Sequence, residues 1–175
     1  MIITKTPFRM SFFGGGTDMP SFFRENGGSV LSTTFDKYCY VNVRHLPRFF
    51  DYSTELSYSK TERVTKIEDI QHPAIKNAMK FLDMHEIRLT YEADLPARSG
   101  LGTSSSFAVG MLNAFYALKG KYADKKKLAD EVVQNFEVYN QVSAEKMKAI
   151  VLVIDNFDVV KNLDMRLKNF SKDFP

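Results

Sequence analysis

The chain has 175 residues, 44% hydrophobic and 26% charged, a balance that excludes a largely disordered protein. Lys and Arg number 24 against 21 Asp and Glu, and the net charge of +3 is too small to indicate a nucleic-acid or membrane partner. The single Cys39 excludes an internal disulfide and a cysteine-rich zinc site. Since no stretch resembles a signal peptide or the roughly 18 apolar residues of a membrane span, we expect a cytoplasmic protein of undetermined oligomeric state.

The first part of the chain alternates β-rich runs with glycine turns. Pro20 follows Asp18 closely, as is typical of the first turn of a capped helix. In chain order, the pattern predicts a strand over 2–5, a loop over 7–16, a helix from Asp18 to the glycines at 27 and 28, strands over 29–34 and 38–45, and a hairpin within 55–66.

The remainder shows clearer periodicity. Ile75, Met79 and Leu82 recur at helical spacing, whereas apolar and polar residues alternate over 87–91. The pattern predicts a helix over 73–84, a strand over 87–91, a loop over 94–102, helices over 103–118 and 125–139, and a covered strand over 149–154.

The loop between the strand at 87–91 and the helix at 103–118 is the most informative segment. Gly100 and Gly102 let the backbone curl closely around a bound group, and the next helix offers unpaired N–H groups and the positive end of its dipole. These features are typical of a phosphate-binding loop, although a helix capped after a glycine turn is the alternative. The loop lacks the lysine of a Walker A motif and the third glycine of a dinucleotide fingerprint.

Two segments resemble a known family. The string Pro96-x-x-x-Gly100-Leu101-Gly102-Thr103-Ser104-Ser105 is similar to the second motif of the GHMP kinases. Residues 6–18, with the glycines at 14–16, are similar to their first motif in the form found in the D-glycero-D-manno-heptose 7-phosphate kinase branch. The resemblance covers about residues 1–130 and implies an α+β domain of the ribosomal protein S5 domain 2-like fold.

The resemblance also implies a function, namely transfer of phosphate from ATP-Mg²⁺ to the anomeric hydroxyl of a heptose 7-phosphate. Ser104 would reach the metal, Asp18 would orient the sugar, and Arg9 would lie near the transferring phosphoryl group, a role that suits an arginine. The nucleotide would lie on Pro96, Arg98, Ser99, Gly100, Leu101, Gly102, Thr103, Ser104 and Ser105, and the sugar phosphate on Arg9, Gly15, Gly16, Thr17 and Asp18.

The tail departs from that family. Residues 131–175 lack the downstream Asp-containing segment and the third glycine-rich motif of the branch, so a domain boundary is predicted at 130. Residues 150–158 are similar to a Walker B segment of FtsK/SpoIIIE-type ATPases, with Asp155 and Asp158 as candidate acids, but a buried strand ending at an acidic turn is the simpler interpretation. A chimera, a fusion or a misjoined gene would each explain the change, and we expect little kinase activity from this chain alone.

Two alternative functions stay open, a catalytically inactive module that binds nucleotide or sugar phosphate and an RNA-binding protein, which the small charge surplus disfavours. The three histidines lack metal-ligand spacing. A group of aromatic residues and arginines lies within 38–52. We interpret it as a strand and the edge of that strand. If the group binds a ligand, a nucleobase or a sugar ring would fit it. Its members are Tyr38, Tyr40, Arg44, Arg48, Phe49, Phe50 and Tyr52.

Overall fold

A five-stranded sheet organises the computed structural model, which describes residues 1–15, 17, 22, 25–97 and 99–136, with side chains through 132. Its order across the sheet is β1-β2-β5-β3-β4, and neighbouring strands are antiparallel except β3 and β5. That parallel pair requires a crossover connection, which contains the first helix. The strands are β1 (Ile2–Phe13), β2 (Leu31–His45), β3 (Thr54–Ser57), β4 (Thr61–Val64) and β5 (Ile87–Ala93).

Among the described residues, three helices cover one face of this sheet. They are α1 (Pro73–Phe81), α2 (Thr103–Leu118) and α3 (Lys125–Phe136), and a short 3₁₀ helix spans Ile67–Asp69. Alternate strand residues face the helices, so Val41, Val43 and Leu89 are fully buried while their neighbours face outward. No helix in the described part of the chain is long and apolar enough to cross a membrane.

Close approach of α2 to β1 depends on one glycine in the middle of the helix. A Cβ atom on Gly110 would lie 2.7 Å from Thr6 Oγ1, which is too close for any real side chain. Thr4 Oγ1 donates a hydrogen bond of 2.9 Å to the Gly110 carbonyl oxygen and ties the two elements together. The helix therefore lies at a fixed distance from the strand that carries the first motif.

The two long strands correct two sequence predictions. β1 continues to Phe13 instead of giving way to a loop at Pro7; this proline lies on an edge strand, where a missing N–H costs little. The strands predicted at 29–34 and 38–45 are one strand, β2. Pro7 pairs with Tyr38 but Phe8 pairs with Phe35, so the two intervening residues of β2 bulge while the strand continues.

The other elements follow the predicted order. The hairpin within 55–66, the strand at 87–91 and the helix at 103–118 are confirmed, as is the mixed α+β class. α1 ends at Phe81 instead of 84, because Leu82 caps it and Asp83 takes a positive φ of 47°. α3 crosses the predicted boundary at 130, and the strand predicted over 149–154 and the Walker B-like segment lie outside the described residues.

Candidate functional site

The glycine-rich loop begins at an anchored residue. Where β5 ends, Asp94 bonds to Tyr38 of β2 twice: the Asp94 amide donates to the Tyr38 carbonyl at 3.0 Å, and the Tyr38 amide donates to Asp94 Oδ2 at 2.8 Å. Both bonds hold the start of the loop against the sheet, so the loop leaves the sheet at a fixed point. No feature of the sequence pattern singled out this pair.

Both motif glycines adopt the backbone conformation that only glycine takes easily. Gly100 has a φ of 77° and Gly102 a φ of 76°, and Gly102 is the N-cap of α2. No side chain caps this helix. The first bond within the helix runs from the Ser106 amide to the Gly102 carbonyl, so the amides before Ser106 have no partner within the helix. The start of α2 thus presents N–H groups and a positive dipole end to a ligand.

The four hydroxyl residues at the start of α2 divide into two groups. Thr103, Ser105 and Ser106 are buried, whereas Ser104 is exposed. Ser106 Oγ donates a 3.0 Å hydrogen bond to the Pro7 carbonyl oxygen, and this bond joins α2 to β1. Ser104 is the hydroxyl free to face a ligand from this turn.

The two motifs meet at the free edge of β1. The Arg9 amide donates a 3.2 Å hydrogen bond to the Leu101 carbonyl oxygen, and the Ser106–Pro7 bond lies next to it. β1 pairs with β2 through its other edge, so the glycine-rich loop occupies the edge that the sheet leaves open. The half-buried Arg9 thereby lies beside the glycine-rich loop, and its role toward a phosphoryl group stays a prediction.

After Phe13 the first motif turns sharply back toward β2. Gly14 has a φ of 73°, and a Cβ there would lie 1.9 Å from the Ser29 carbonyl oxygen, so only glycine fits. Thr17 Oγ1 lies 2.8 Å from the Gly14 carbonyl oxygen and 2.9 Å from that of Ser29, and the Ser29 amide donates to it at 3.2 Å. The Thr17 hydroxyl therefore closes this turn, and its role toward a substrate stays a prediction.

The remaining predicted site residues divide by position. Pro96, Ser99 and Gly100 are exposed along the loop and Leu101 is half-buried, while Gly15 is exposed beside β1. Gly16, Asp18 and Arg98 lie outside the described residues.

Titratable groups behind the loop are held uncharged by burial. Burial raises the pKa of the Cys39 thiol to about 12, and it also raises that of Tyr91 to about 12. Burial lowers the pKa of His72, whose Nδ1 accepts a 3.4 Å hydrogen bond from the Ile75 amide at the start of α1. His72 is therefore a helix cap. Within the described ranges no three Asp, Glu, His or Cys side chains converge as metal ligands.

The aromatic and arginine group is split between two ends of the outer sheet face. Tyr38 and Tyr40 lie on β2 near the loop, with Lys5 Nζ 3.7 Å from the centre of the Tyr38 ring. Phe50 and Tyr52 follow β2 and stack with ring centres 5.1 Å apart. The group is thus partly strand and partly edge, as interpreted from the sequence.

Comparison with known proteins finds a family match for part of the chain. Residues 69–145 match the family described as GHMP kinases N terminal domain, a span that contains the glycine-rich loop and all of α2. Over that span this chain is similar to the GHMP kinase N-terminal domain. The match confirms the resemblance to the GHMP kinases.

Proteins similar to this chain include sugar kinases. A D-glycero-alpha-D-manno-heptose 7-phosphate kinase of Campylobacter jejuni is 31% identical over 65% of this chain, and the chain spans 37% of that relative's length. The crystal structure of a D-glycero-D-manno-heptose 1-phosphate kinase from Bacteroides thetaiotaomicron is also similar, with 22% sequence identity and a TM-score of 0.63. The similarity covers 79% of this chain and 47% of the kinase chain.

A more distant GHMP kinase structure shares the fold and holds a nucleotide analogue. The Streptococcus pneumoniae phosphomevalonate kinase, solved in complex with phosphomevalonate and AMPPNP, is 16% identical, with a TM-score of 0.65 over 87% of this chain and 47% of its own. This chain therefore spans about half the length of each of these two solved chains.

Proposed function

We propose that this chain is the nucleotide-binding part of an ATP-dependent sugar kinase that phosphorylates D-glycero-D-manno-heptose 7-phosphate at its anomeric hydroxyl. The observation that carries the proposal is the bond from the Arg9 amide to the Leu101 carbonyl, which brings the first motif to the phosphate-binding loop. The heptose 7-phosphate kinase relative supports the substrate class.

The nucleotide phosphates lie at the start of α2 in this proposal. Gly100 and Gly102 carry no side chains, so oxygen atoms can approach the backbone there, and the first-turn amides donate to them. These interactions are preorganised because Gly102 already holds a φ of 76° and the loop is bonded to β1 and β2. Preorganised donors stabilise developing charge without reorganising during the reaction.

The exposed hydroxyl of Ser104 fits Mg²⁺, which prefers oxygen ligands. Mg²⁺ usually keeps waters and takes further oxygens from substrate phosphates, so a single hydroxyl from the protein is a sufficient contribution. The metal would neutralise charge on the β- and γ-phosphate oxygens. Arg9 would balance charge on the transferring group, and Asp18 would accept hydrogen bonds from the sugar hydroxyls and orient the acceptor.

Binding without turnover is the second candidate function for this chain. The chain spans 37% of the heptose 7-phosphate kinase relative, and the match to the GHMP kinase N-terminal domain ends at residue 145. Loss of a group that orients the acceptor costs roughly 10²-fold or more in rate. We therefore expect nucleotide binding to exceed turnover in the 175-residue chain.

Titration calorimetry with AMPPNP and Mg²⁺ tests the nucleotide site. Ser104→Ala is expected to weaken Mg²⁺-dependent binding by about tenfold, because a charge-assisted contact is lost. Asn113→Ala, at an exposed position of the same helix, is the matched control and should leave affinity unchanged. Equal affinities for all three proteins, or no binding by the parent chain, would refute the nucleotide site.

Substrate and turnover need a separate assay. ADP release with heptose 7-phosphate, compared with mevalonate and galactose, tests the substrate class. Calorimetric heat without ADP release would favour the binding module. Asp18→Asn should lower affinity for the sugar phosphate while sparing AMPPNP. Equal loss of both ligands would contradict the assigned role of Asp18.

A further inference from the structure

The outer face of the sheet carries a row of charged side chains that the proposed kinase function does not use. Arg44 on β2 pairs directly with Arg88 on β5, Arg88 pairs with Glu55 on β3, and Glu55 pairs with Arg63 on β4. The row therefore crosses four strands and contains three arginines and one glutamate. Helices cover the opposite face of these strands, so the row lies on the face away from the core.

The Glu55 carboxylate forms ion pairs with two arginines of this row. Its side chain is 11% exposed, and its oxygens lie 2.7 Å from Arg88 Nε and 3.1 Å from Arg63 Nε. Tyr52 OH also donates to Glu55 Oε2 at 2.7 Å. The Tyr52 hydrogen bond, followed by those of the two arginines, lowers the pKa of Glu55, so its charge is present at neutral pH and serves Arg63 and Arg88.

Arg44 has no such partner among the described residues. Within the part of the chain that the structure describes, this half-buried arginine makes no ion pair and no side-chain hydrogen bond. Its direct cross-strand neighbour is another arginine, and like charges in that position destabilise a sheet. The row thus holds two positive charges more than its glutamate balances.

Neutral hydrogen-bonding groups stand next to this excess charge. Two residues along the strands on the same face, Asn42 pairs with Thr90, and Thr90 pairs with Ser57. These three half-buried side chains also form no hydrogen bond with described residues. The centre of the Phe50 ring lies 5.9 Å from Arg88 Cζ, so the ring restricts the orientation of the Arg88 guanidinium group.

We propose that Arg44 and Arg88, with Asn42 and Thr90, form a binding site for a phosphate group on the outer face of the sheet. A dianion between two guanidinium groups relieves their repulsion and accepts several charge-assisted hydrogen bonds at once. The amide of Asn42 and the hydroxyl of Thr90 donate to its remaining oxygens.

This outer-face phosphate site is separate from the phosphate-binding loop. The loop follows Ala93, which pairs with Cys39, whereas Arg88 is five residues earlier on β5. Five residues of an extended strand span about 17 Å. One phosphate group cannot contact both sites, so they can be tested independently.

The experiment follows arginine Nε–H and backbone amide signals of the full chain by NMR. Inorganic phosphate and glucose 6-phosphate are titrated at constant ionic strength, with chloride as the screening control. Arg44→Gln removes the positive charge proposed to bind phosphate, and Arg48→Gln is the matched control. Arg48 lies outside the row and is 82% exposed, and its Nε lies 2.8 Å from Glu86 Oε1. A second readout, the thermal midpoint with and without phosphate, is recorded for every protein.

Phosphate is expected to shift the Arg44 and Arg88 signals saturably, and Arg44→Gln should weaken that affinity by about tenfold. Arg48→Gln should keep it within about twofold. Without phosphate, Arg44→Gln should raise the thermal midpoint, because it removes a like-charge pair. Tighter binding of glucose 6-phosphate identifies an esterified ligand, and tighter binding of inorganic phosphate identifies the free ion. An equal response to chloride, or equal losses in both variants, overturns the proposal.

Discussion

Gly110 and Thr6 touch where α2 crosses β1. The space between them is so small that a Cβ on Gly110 would lie 2.7 Å from Thr6 Oγ1 and 3.3 Å from Thr4 Oγ1. Thr6 is itself 6% exposed and has little room to move. Because the glycine-rich loop leads directly into α2, this contact sets the distance between the loop and the strand that carries Arg9.

Gly110→Ala is expected to push α2 away from β1. The steric cost of about 1–3 kcal/mol exceeds the gain of about 1 kcal/mol in helix propensity. Urea unfolding should show the lower stability, and AMPPNP affinity should fall with it. The double variant Gly110→Ala/Thr6→Ala removes the clashing hydroxyl and should recover part of both losses. A double variant no better than Gly110→Ala would contradict this account.

Ser106→Ala should lower stability by about 1 kcal/mol, because it deletes the bond to the Pro7 carbonyl oxygen in a fully buried place. Ser104→Ala is the control for stability, since Ser104 is exposed, and it should unfold at the same urea concentration as the parent protein. The two neighbouring serines thus separate folding from ligand binding. Equal urea midpoints for both variants would be inconsistent with the assigned roles.

His72 is expected to make stability depend on pH. Its pKa in the folded state is below the ordinary 6.5, chiefly through burial; nearby Glu62 opposes this shift and Lys60 adds to it. Protonation is therefore less favourable in the folded state, so stability is lost as pH falls below 6.5 toward the folded pKa. Protonation also removes the Nδ1 acceptor that caps α1, a contribution of about 1 kcal/mol.

His72→Asn keeps a helix cap that does not titrate, so its stability should fall less between pH 7.5 and pH 5.5. Urea unfolding at both values measures the difference. The control is His85→Asn, because His85 is 61% exposed in its pairing with Asp83. An unchanged pH dependence in His72→Asn would contradict this prediction.

Glu55→Gln should destabilise the sheet by about 2 kcal/mol, since it leaves Arg88 and Arg63 without their carboxylate. The folded pKa of Glu55 is below its ordinary 4.5, so this contribution is complete above that pH and is lost as pH falls through the folded pKa. Unfolding of the parent and the variant should therefore converge in acid. Glu92→Gln, at an exposed position of β5, is the control and should change stability little.

The sequence predicted elements well where local pattern and tertiary structure agree. The helix over Thr103–Leu118 was predicted in full, because its apolar spacing and its glycine start signal coincide. β1 was predicted too short, because Pro7 and the polar residues around it suggest a loop. An edge strand tolerates both, and only pairing with β2 shows that the strand continues.

The sequence predicted the motifs of the site but not the hydrogen bonds that hold those motifs in place. Gly100 and Gly102 could be singled out because a turn before a helix requires them. The bonds from Asp94 to Tyr38 and from Arg9 to Leu101 join residues far apart in the sequence, and no local pattern encodes such pairs. Gly110 did leave a signal, since a glycine inside an apolar helix costs stability unless something packs against it.

The position of β5 has a consequence for the order in which the chain can fold as it leaves the ribosome. β1 and β2 are adjacent in sequence and in the sheet, so they can pair once His45 has emerged. The β3–β4 hairpin emerges next, but its place in the sheet is beside β5, which ends at Ala93. The hairpin can pair with the sheet only after α1 and β5 have been synthesised. The start of α2 is synthesised after β5. The glycine-rich loop is therefore completed only after all five strands of the sheet have been synthesised.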